Sequence, residues 1–347
     1  MPSSLAALIR SANPASPGAF RLLLAMLVFV HHFSRLALGT FAVMVFFVLS
    51  GFWLHRMWEN KYRHTRSAYF TYMISRMWRL APVMALTSLM MIGMYELFGI
   101  YTIETEAQNP VWLGFSSVFL LGYAWLPFMP VGPAWSLDIE MRFYLVAPLI
   151  AVALARFGKG AVLAAALLAT AISLWLTATT LLAHYIVFFV VGMIASSADW
   201  RPSQNLAIGS GLAVIAAVVI TGLSPFSDLL LGGAHRGALF VYNSHYSAAL
   251  ALLALPWAIG TVHRPSDATD RMLADLSFIV YLQHAIALQV FKLIDGPFLE
   301  RLAVAAASFT LVPIVSWLIW RYFDRPISRR RDAWVKQRLP LKPLQPS

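Results

Sequence analysis

The chain has 347 residues, of which 60% are hydrophobic and only 12% charged. The mean hydropathy is +0.70. There is no cysteine, which excludes thiol nucleophiles, disulfides and cysteine-based zinc sites. The net charge is +11. In a polytopic chain such an excess is expected in cytoplasmic loops and against anionic lipid, so no nucleic-acid partner is expected.

Apolar runs of about 20 residues recur along the whole chain, the signature of an all-α, polytopic transmembrane helix bundle. No alternation of the barrel type competes with it. A short polar N-terminal segment, 1–19, contains Arg10 and precedes the first run. No small-residue cleavage site follows that run, so it reads as an uncleaved first span. The apolar segments fall at 20–38, 40–57, 78–99, 112–126, 135–156, 161–180, 182–198, 206–223, 237–260, 273–292 and 302–322.

Charge decides the topology. The stretch 55–79 carries Arg56, Lys61, Arg63, Arg66, Arg76 and Arg79 against Glu59 alone. The tail 323–347 carries Arg325, Arg329, Arg330, Arg331, Lys336, Arg338 and Lys342 against Asp324 and Asp332. Both are expected in the cytoplasm, and so is the N-terminus. Two inside termini require an even number of spans. The weakest segment, 112–126, holds Gly114 and Gly122 and ends at Pro127. It is assigned as a re-entrant or interfacial piece on the outer side. Ten spans remain over 20–322, and the loop 100–111, with Glu104 and Glu106, falls outside.

Within the spans, polar residues stand out because hydrocarbon makes them costly. Arg21 and His32 are eleven positions apart on the first span, returning to nearly the same face about 16 Å along the helix. His31 precedes His32. If the span runs to Leu38, His32 lies roughly 9 Å from its outer end. The second span contains Ser50-Gly51 in an aromatic context, a close-packing point. It lacks the first glycine of a nucleophile elbow, so Ser50 is not read as a nucleophile. Arg76 and Arg79 are three apart and share a helical face; paired guanidiniums are good phosphate ligands. The run Trp135-Ser136-Leu137-Asp138-Ile139-Glu140 continues to Arg142 and Tyr144. Asp138 and Arg142, four apart, are expected to pair. Glu140 is then the carboxylate still in search of a partner. Gln283 and His284 lie mid-span in the segment 273–292, where a structural hydrogen-bonding role is expected.

These motifs resemble the acyltransferase-3 family of bacterial integral-membrane acyltransferases. The resemblance rests on R-x10-H at Arg21 and His32, FFVLSGF at 46–52, R-x-x-R at Arg76 and Arg79, and W-S-L-x-x-E at Trp135 to Glu140. It continues through S-x-x-x-Y-L-x-H at Ser277 to His284 and Phe323-Asp324-Arg325-Pro326. It implies a ten-span enzyme of the bacterial plasma membrane that moves an acyl group, most often acetyl from acetyl-CoA, to a carbohydrate hydroxyl. It implies His32 as the essential histidine, Glu140 as its glutamate, and Arg21, Arg76 and Arg79 as the arginines. No tightly bound cofactor and no metal is implied; the acyl-CoA is a substrate. Two departures are visible. The acidic residue usual before the first arginine is replaced by Pro17-Gly18-Ala19-Phe20, and no extracytoplasmic hydrolase-like domain follows the spans.

The expected mechanism has Arg21, Arg76 and Arg79 holding the donor phosphates at the cytoplasmic edge. His32 acts as general base or transient acyl carrier, with Glu140 orienting its imidazole. His31, Ser50, Trp135, Asp138, Tyr144 and His284 are substrate-binding or structural candidates. The rival from another class is a transporter or flippase of a glycan or small molecule. A scaffolding membrane subunit is a further rival, and it predicts that Arg21, His32 and Glu140 tolerate substitution.

Overall fold

The computed structural model describes residues 16–100, 108–233, 236–294 and 296–339. Arg10 and most of the 1–19 segment lie outside the described residues, as do Glu104, Glu106 and Lys342. The described chain is helical, without a strand; one isolated bridge pairs Leu36 with Leu231. The helices are α1 Pro17–Phe33, α2 Gly39–Asn60, α3 Ala68–Phe98, α4 Pro110–Phe119, α5 Trp135–Trp175 and α6 Leu182–Ser197. They continue with α7 Gln204–Leu223, α8 Asn243–Leu253, α9 Leu255–Val262, α10 Ala268–Leu293, α11 Phe298–Ile319 and α12 Arg325–Lys336. A π-turn, Trp320–Asp324, joins the last two.

Among the described residues, six helical stretches are long and apolar enough to cross a membrane, or seven if α8 and α9, bent by 50°, count as one broken span. The ten segments read from sequence are therefore not all reproduced as separate spans. Two of them, 135–156 and 161–180, follow one another in α5 as two helical pieces that meet at a kink. The helix is interrupted at Gly158, where φ is 81° and ψ 164°. That left-handed φ suits glycine alone, and Arg156 and Lys159 flank the break. The piece at 112–126 contains only a ten-residue helix, α4, capped by the Asn109 side chain. It ends at Leu120 and passes into a short 3₁₀ turn, Tyr123–Trp125.

The chain forms two compact units. One comprises Met1–Leu49 and Asp199–Trp317; the other comprises Ser50–Ala198 and Leu318–Ser347. In the first unit α1 packs along α10. The N-terminus of α1 is capped from far away: Gly18 and Ala19 N–H donate to Asp270 Oδ1 at 2.8 and 3.1 Å. Asp270 is held by the Ser266 hydroxyl at 2.6 Å. A carboxylate at a helix N-terminus satisfies orphan amides and favours the helix dipole. Phe20 meets Trp257 edge-on, and Phe29 stacks on Phe309 at 4.2 Å. The turn after α1 is pinned by Asn243, whose amide donates to the Ala37 and Leu229 carbonyls at 3.0 and 2.7 Å.

In the second unit α5 packs along α6, and Phe143 stacks on Phe189 at 4.0 Å. The second half of α2 lies against α6 so closely that a Cβ on Gly51 would stand 2.0 Å from the Phe189 carbonyl oxygen. The close-packing point read at Ser50-Gly51 is thus a backbone contact. Gly51→Ala is expected to lower stability by about 1–3 kcal/mol through overpacking. Gly93→Ala, on the same kind of helix but with open space around it, is expected to be neutral or stabilising by up to about 1 kcal/mol. Thermal unfolding of the purified variants in detergent compares the two.

Candidate active site

In the first unit the polar stripe of α1 ends sooner than its apolar pattern suggested. The helix stops at Phe33, with Ser34 already extended. His31 and His32 therefore sit in its last turn and not almost two turns inside a span reaching Leu38. The reason is local. The Ser34 hydroxyl bonds the Val30 carbonyl at 2.7 Å, and Ala37 N–H leaves the helix to donate to Leu230 O at 2.7 Å. Arg21 lies one turn into the other end of α1, beyond the Asp270 cap.

His32 stands between two other imidazoles. Its ring centroid is 4.8 Å from that of His31 and 5.2 Å from that of His284, with which it stacks at 26°. His284, fully buried, is thereby brought to the candidate base from α10. Its Nδ1 is 3.3 Å from the Val280 carbonyl oxygen. A carbonyl only accepts, so Nδ1 carries the proton in this contact and Nε2 presents a lone pair. That Nε2 is buried and has no hydrogen-bond partner. Phe29, Phe309 and Phe33 wall this cluster on the apolar side.

In the second unit Glu140 is held by two hydroxyls. The Ser50 Oγ donates to Glu140 Oε1 at 2.7 Å, and Tyr144, one turn further along α5, donates to the same oxygen at 2.8 Å. Ser50 thus serves as a donor to the carboxylate. Tyr144 also offers its ring to Arg76, whose guanidinium carbon lies 5.9 Å from the centroid. Arg76 is enclosed by aromatic groups: it lies 6.0 Å from the Tyr62 ring centroid, and its Nη2 is 3.5 Å from the Tyr62 hydroxyl. Arg79, a turn later, faces Asp324 of the π-turn at 3.5 Å. The two arginines that share a face therefore have different surroundings, one aromatic and one ionic.

Asp138 forms the expected pair with Arg142 at 2.6 Å. It also accepts from Gly122 N–H at 3.2 Å and Ala124 N–H at 2.9 Å. Arg142 in turn donates to the Thr180 carbonyl at 2.8 Å and lies 4.0 Å from the Trp125 ring centroid. Asp138 is thus the clasp for the segment that follows α4. Trp135, at the start of α5, packs on Tyr185 with centroids 5.5 Å apart.

The family model described as an acyltransferase domain, acyltransferase-3, matches residues 15–321. The chain belongs to the acyltransferase-3 family. It is a membrane acyltransferase. No curated protein and no solved structure gives a significant match. The arginine pair, the glutamate and the histidine singled out from sequence all fall within the matched region. Sequence reasoning gave no role to the Asp270 cap or to the Asp324 partner of Arg79. The first had a visible trace, an Asp267-x-x-Asp270 start to α10; the second lay in a motif noted only for its pattern.

Asp138 is fully buried, so its loss leaves the Arg142 charge and two amides uncompensated. Asp138→Ala is expected to destabilise the protein by about 3 kcal/mol or more, read as a lower unfolding midpoint in detergent.

Proposed function

We propose that this membrane acyltransferase moves an acyl group, most often acetyl, from acyl-CoA to a hydroxyl of a carbohydrate acceptor such as an exopolysaccharide, a lipid-linked glycan or lipopolysaccharide. The observation that carries the reading is His32 at the end of α1, stacked on the buried His284. The enzyme is placed in the bacterial plasma membrane with ten spans and both termini inside. The break at Gly158 between Arg156 and Lys159 and the basic α12 support that topology.

In this reading the acceptor hydroxyl attacks the thioester carbonyl, the new C–O bond forms, and the C–S bond breaks. His32 takes the hydroxyl proton as general base and returns it to the departing thiolate, so coenzyme A leaves as the thiol. Stacking on His284 fixes the His32 ring plane, making His284 a positioning residue. For Glu140, gripped by Ser50 and Tyr144, the proposed role is the charge stabilisation a carboxylate supplies in a hydrolase triad. Arg76 and Arg79 are proposed ligands of the donor phosphates, and Arg21, in the other unit, is proposed to act in donor binding.

Purified protein supplied with radiolabelled acetyl-CoA and a glycan extract tests this. Wild type is expected to label the glycan and release thiol in equal amounts. His32→Ala is expected to lower the rate by about 10²–10⁴-fold, the range for a lost general base, with donor affinity retained. Near-normal labelling by that variant overturns the assignment, and glycan transport without acetyl-CoA turnover overturns the function. Tyr144→Phe removes one hydrogen bond to a charged group, about 1.5 kcal/mol, and is expected to cost about tenfold in rate. Arg21→Ala is expected to raise the donor KM more than it lowers kcat; intact donor affinity with abolished turnover contradicts its role in binding.

A further inference from the structure

The arginine pair of α3 has a third member that sequence spacing does not announce. Helix α12 packs on α3, with the Trp334 ring 6.0 Å from that of Trp78, the residue before Arg79. Arg331 lies one turn before Trp334 on this helix; burial first, and then the like charges of Arg79 and Arg76, hold its guanidinium pKa below the usual value. The Arg331 side chain is 13% exposed. Its Nε and Nη2 reach Asp332 at 3.2 and 2.9 Å, a carboxylate on the solvent side whose own side chain is 54% exposed. Its other terminal nitrogen, Nη1, is buried and has no hydrogen-bond partner, and neither has the buried Arg76 Nε.

Arg76 and Arg79 on α3 and Arg331 on the helix packed against it thus share one region, with Asp324 facing Arg79 and the outward Asp332 facing Arg331. Like charges held this close repel, and buried donors left unsatisfied cost more than the pairs return. Such an arrangement is stable when an anion completes it. Phosphate fits, because guanidinium forks bind its oxygens in pairs. The same face of α12 continues through Trp334 and Arg338 into an open groove of about 890 Å³, lined also by His64 and Arg66. Arg338 lies in the turn just past the end of α12. The groove therefore offers further cationic side chains and space beside the cluster.

We infer that Arg331 completes, with Arg76 and Arg79, a binding site for the diphosphate of a nucleotide-linked acyl donor. The inference rests on the donor reading above and assigns part of the donor site to the C-terminal helix. The same phosphate chemistry is available from an anionic lipid headgroup, so the test separates the two sources.

Calorimetric titration of the full-length protein in phosphatidylcholine nanodiscs with coenzyme A, and separately with pyrophosphate, provides the first arm. Arg331→Gln is expected to weaken both ligands at least tenfold. Arg331→Lys, which keeps the charge and loses the fork, is expected to fall between it and wild type. The unfolding midpoint of each variant shows whether it is folded. Arg329→Gln/Arg330→Gln serves as the control for general charge and is expected to bind as wild type does. If wild type binds coenzyme A and both Arg331 variants bind it equally well, the inference is overturned and the donor reading stands. If wild type does not bind coenzyme A, the donor reading itself fails. In the second arm, nanodiscs containing phosphatidylglycerol replace the first. Stabilisation by that lipid that is lost in Arg331→Gln, without any coenzyme A binding, overturns the donor as the source of the phosphate.

Discussion

A carboxylate inside an apolar helix bundle has to be surrounded by donors, because the hydrocarbon offers no water to replace them. Glu140 meets this demand with two hydroxyls on one oxygen, from Ser50 on α2 and Tyr144 on α5. The rest of the second unit is arranged around that grip. Ser50 can reach α5 only if α2 lies deep, and the absence of a side chain at Gly51 lets it settle onto the Phe189 carbonyl of α6. Tyr144, spent on Glu140 through its hydroxyl, shows its ring to Arg76. Carboxylate, phenol and guanidinium are thus linked by successive contacts, and the polar groups lie where the helix register puts them.

The same demand explains which polar residues are structural. Asp138 is enclosed by Arg142 and two amides and holds the segment after α4 in place. Asp270 is spent on the first amides of α1. These groups are saturated. His284 Nε2, Arg76 Nε and Arg331 Nη1 are buried and unsaturated. Those three lie on α10 beside the end of α1, on α3 and on α12.

What could be read from sequence follows how local each feature is. The Asp138–Arg142 pair, the shared face of Arg76 and Arg79, and the packing role of Ser50-Gly51 all lie within one or two helical turns, and helix geometry alone predicts them. The helical class followed from hydropathy. The end of α1 did not, because apolar residues continue to Leu38 while the backbone leaves the helix at Ser34 to join Leu230 and Gly232. The break inside α5 was legible: the apolar segments 135–156 and 161–180 leave a gap, and Gly158 interrupts the helix within it. Asp270 capping α1 from about 250 positions away, Asp324 on Arg79 and the stacking of His32 on His284 are tertiary contacts whose partners spacing does not name. The acidic residue that the family usually carries before the first arginine is absent from the chain's local sequence, yet the structure supplies a carboxylate to that helix end from α10.

The central claim is that acyl transfer takes place at the imidazole closing α1. It is tested most directly by an electron cryo-microscopy map of the wild-type protein with a non-hydrolysable acyl-CoA analogue. The account predicts density for the acyl carbonyl beside His32, within hydrogen-bond reach of its ring nitrogen. An analogue bound with its acyl end away from the His32–His284 pair would contradict it.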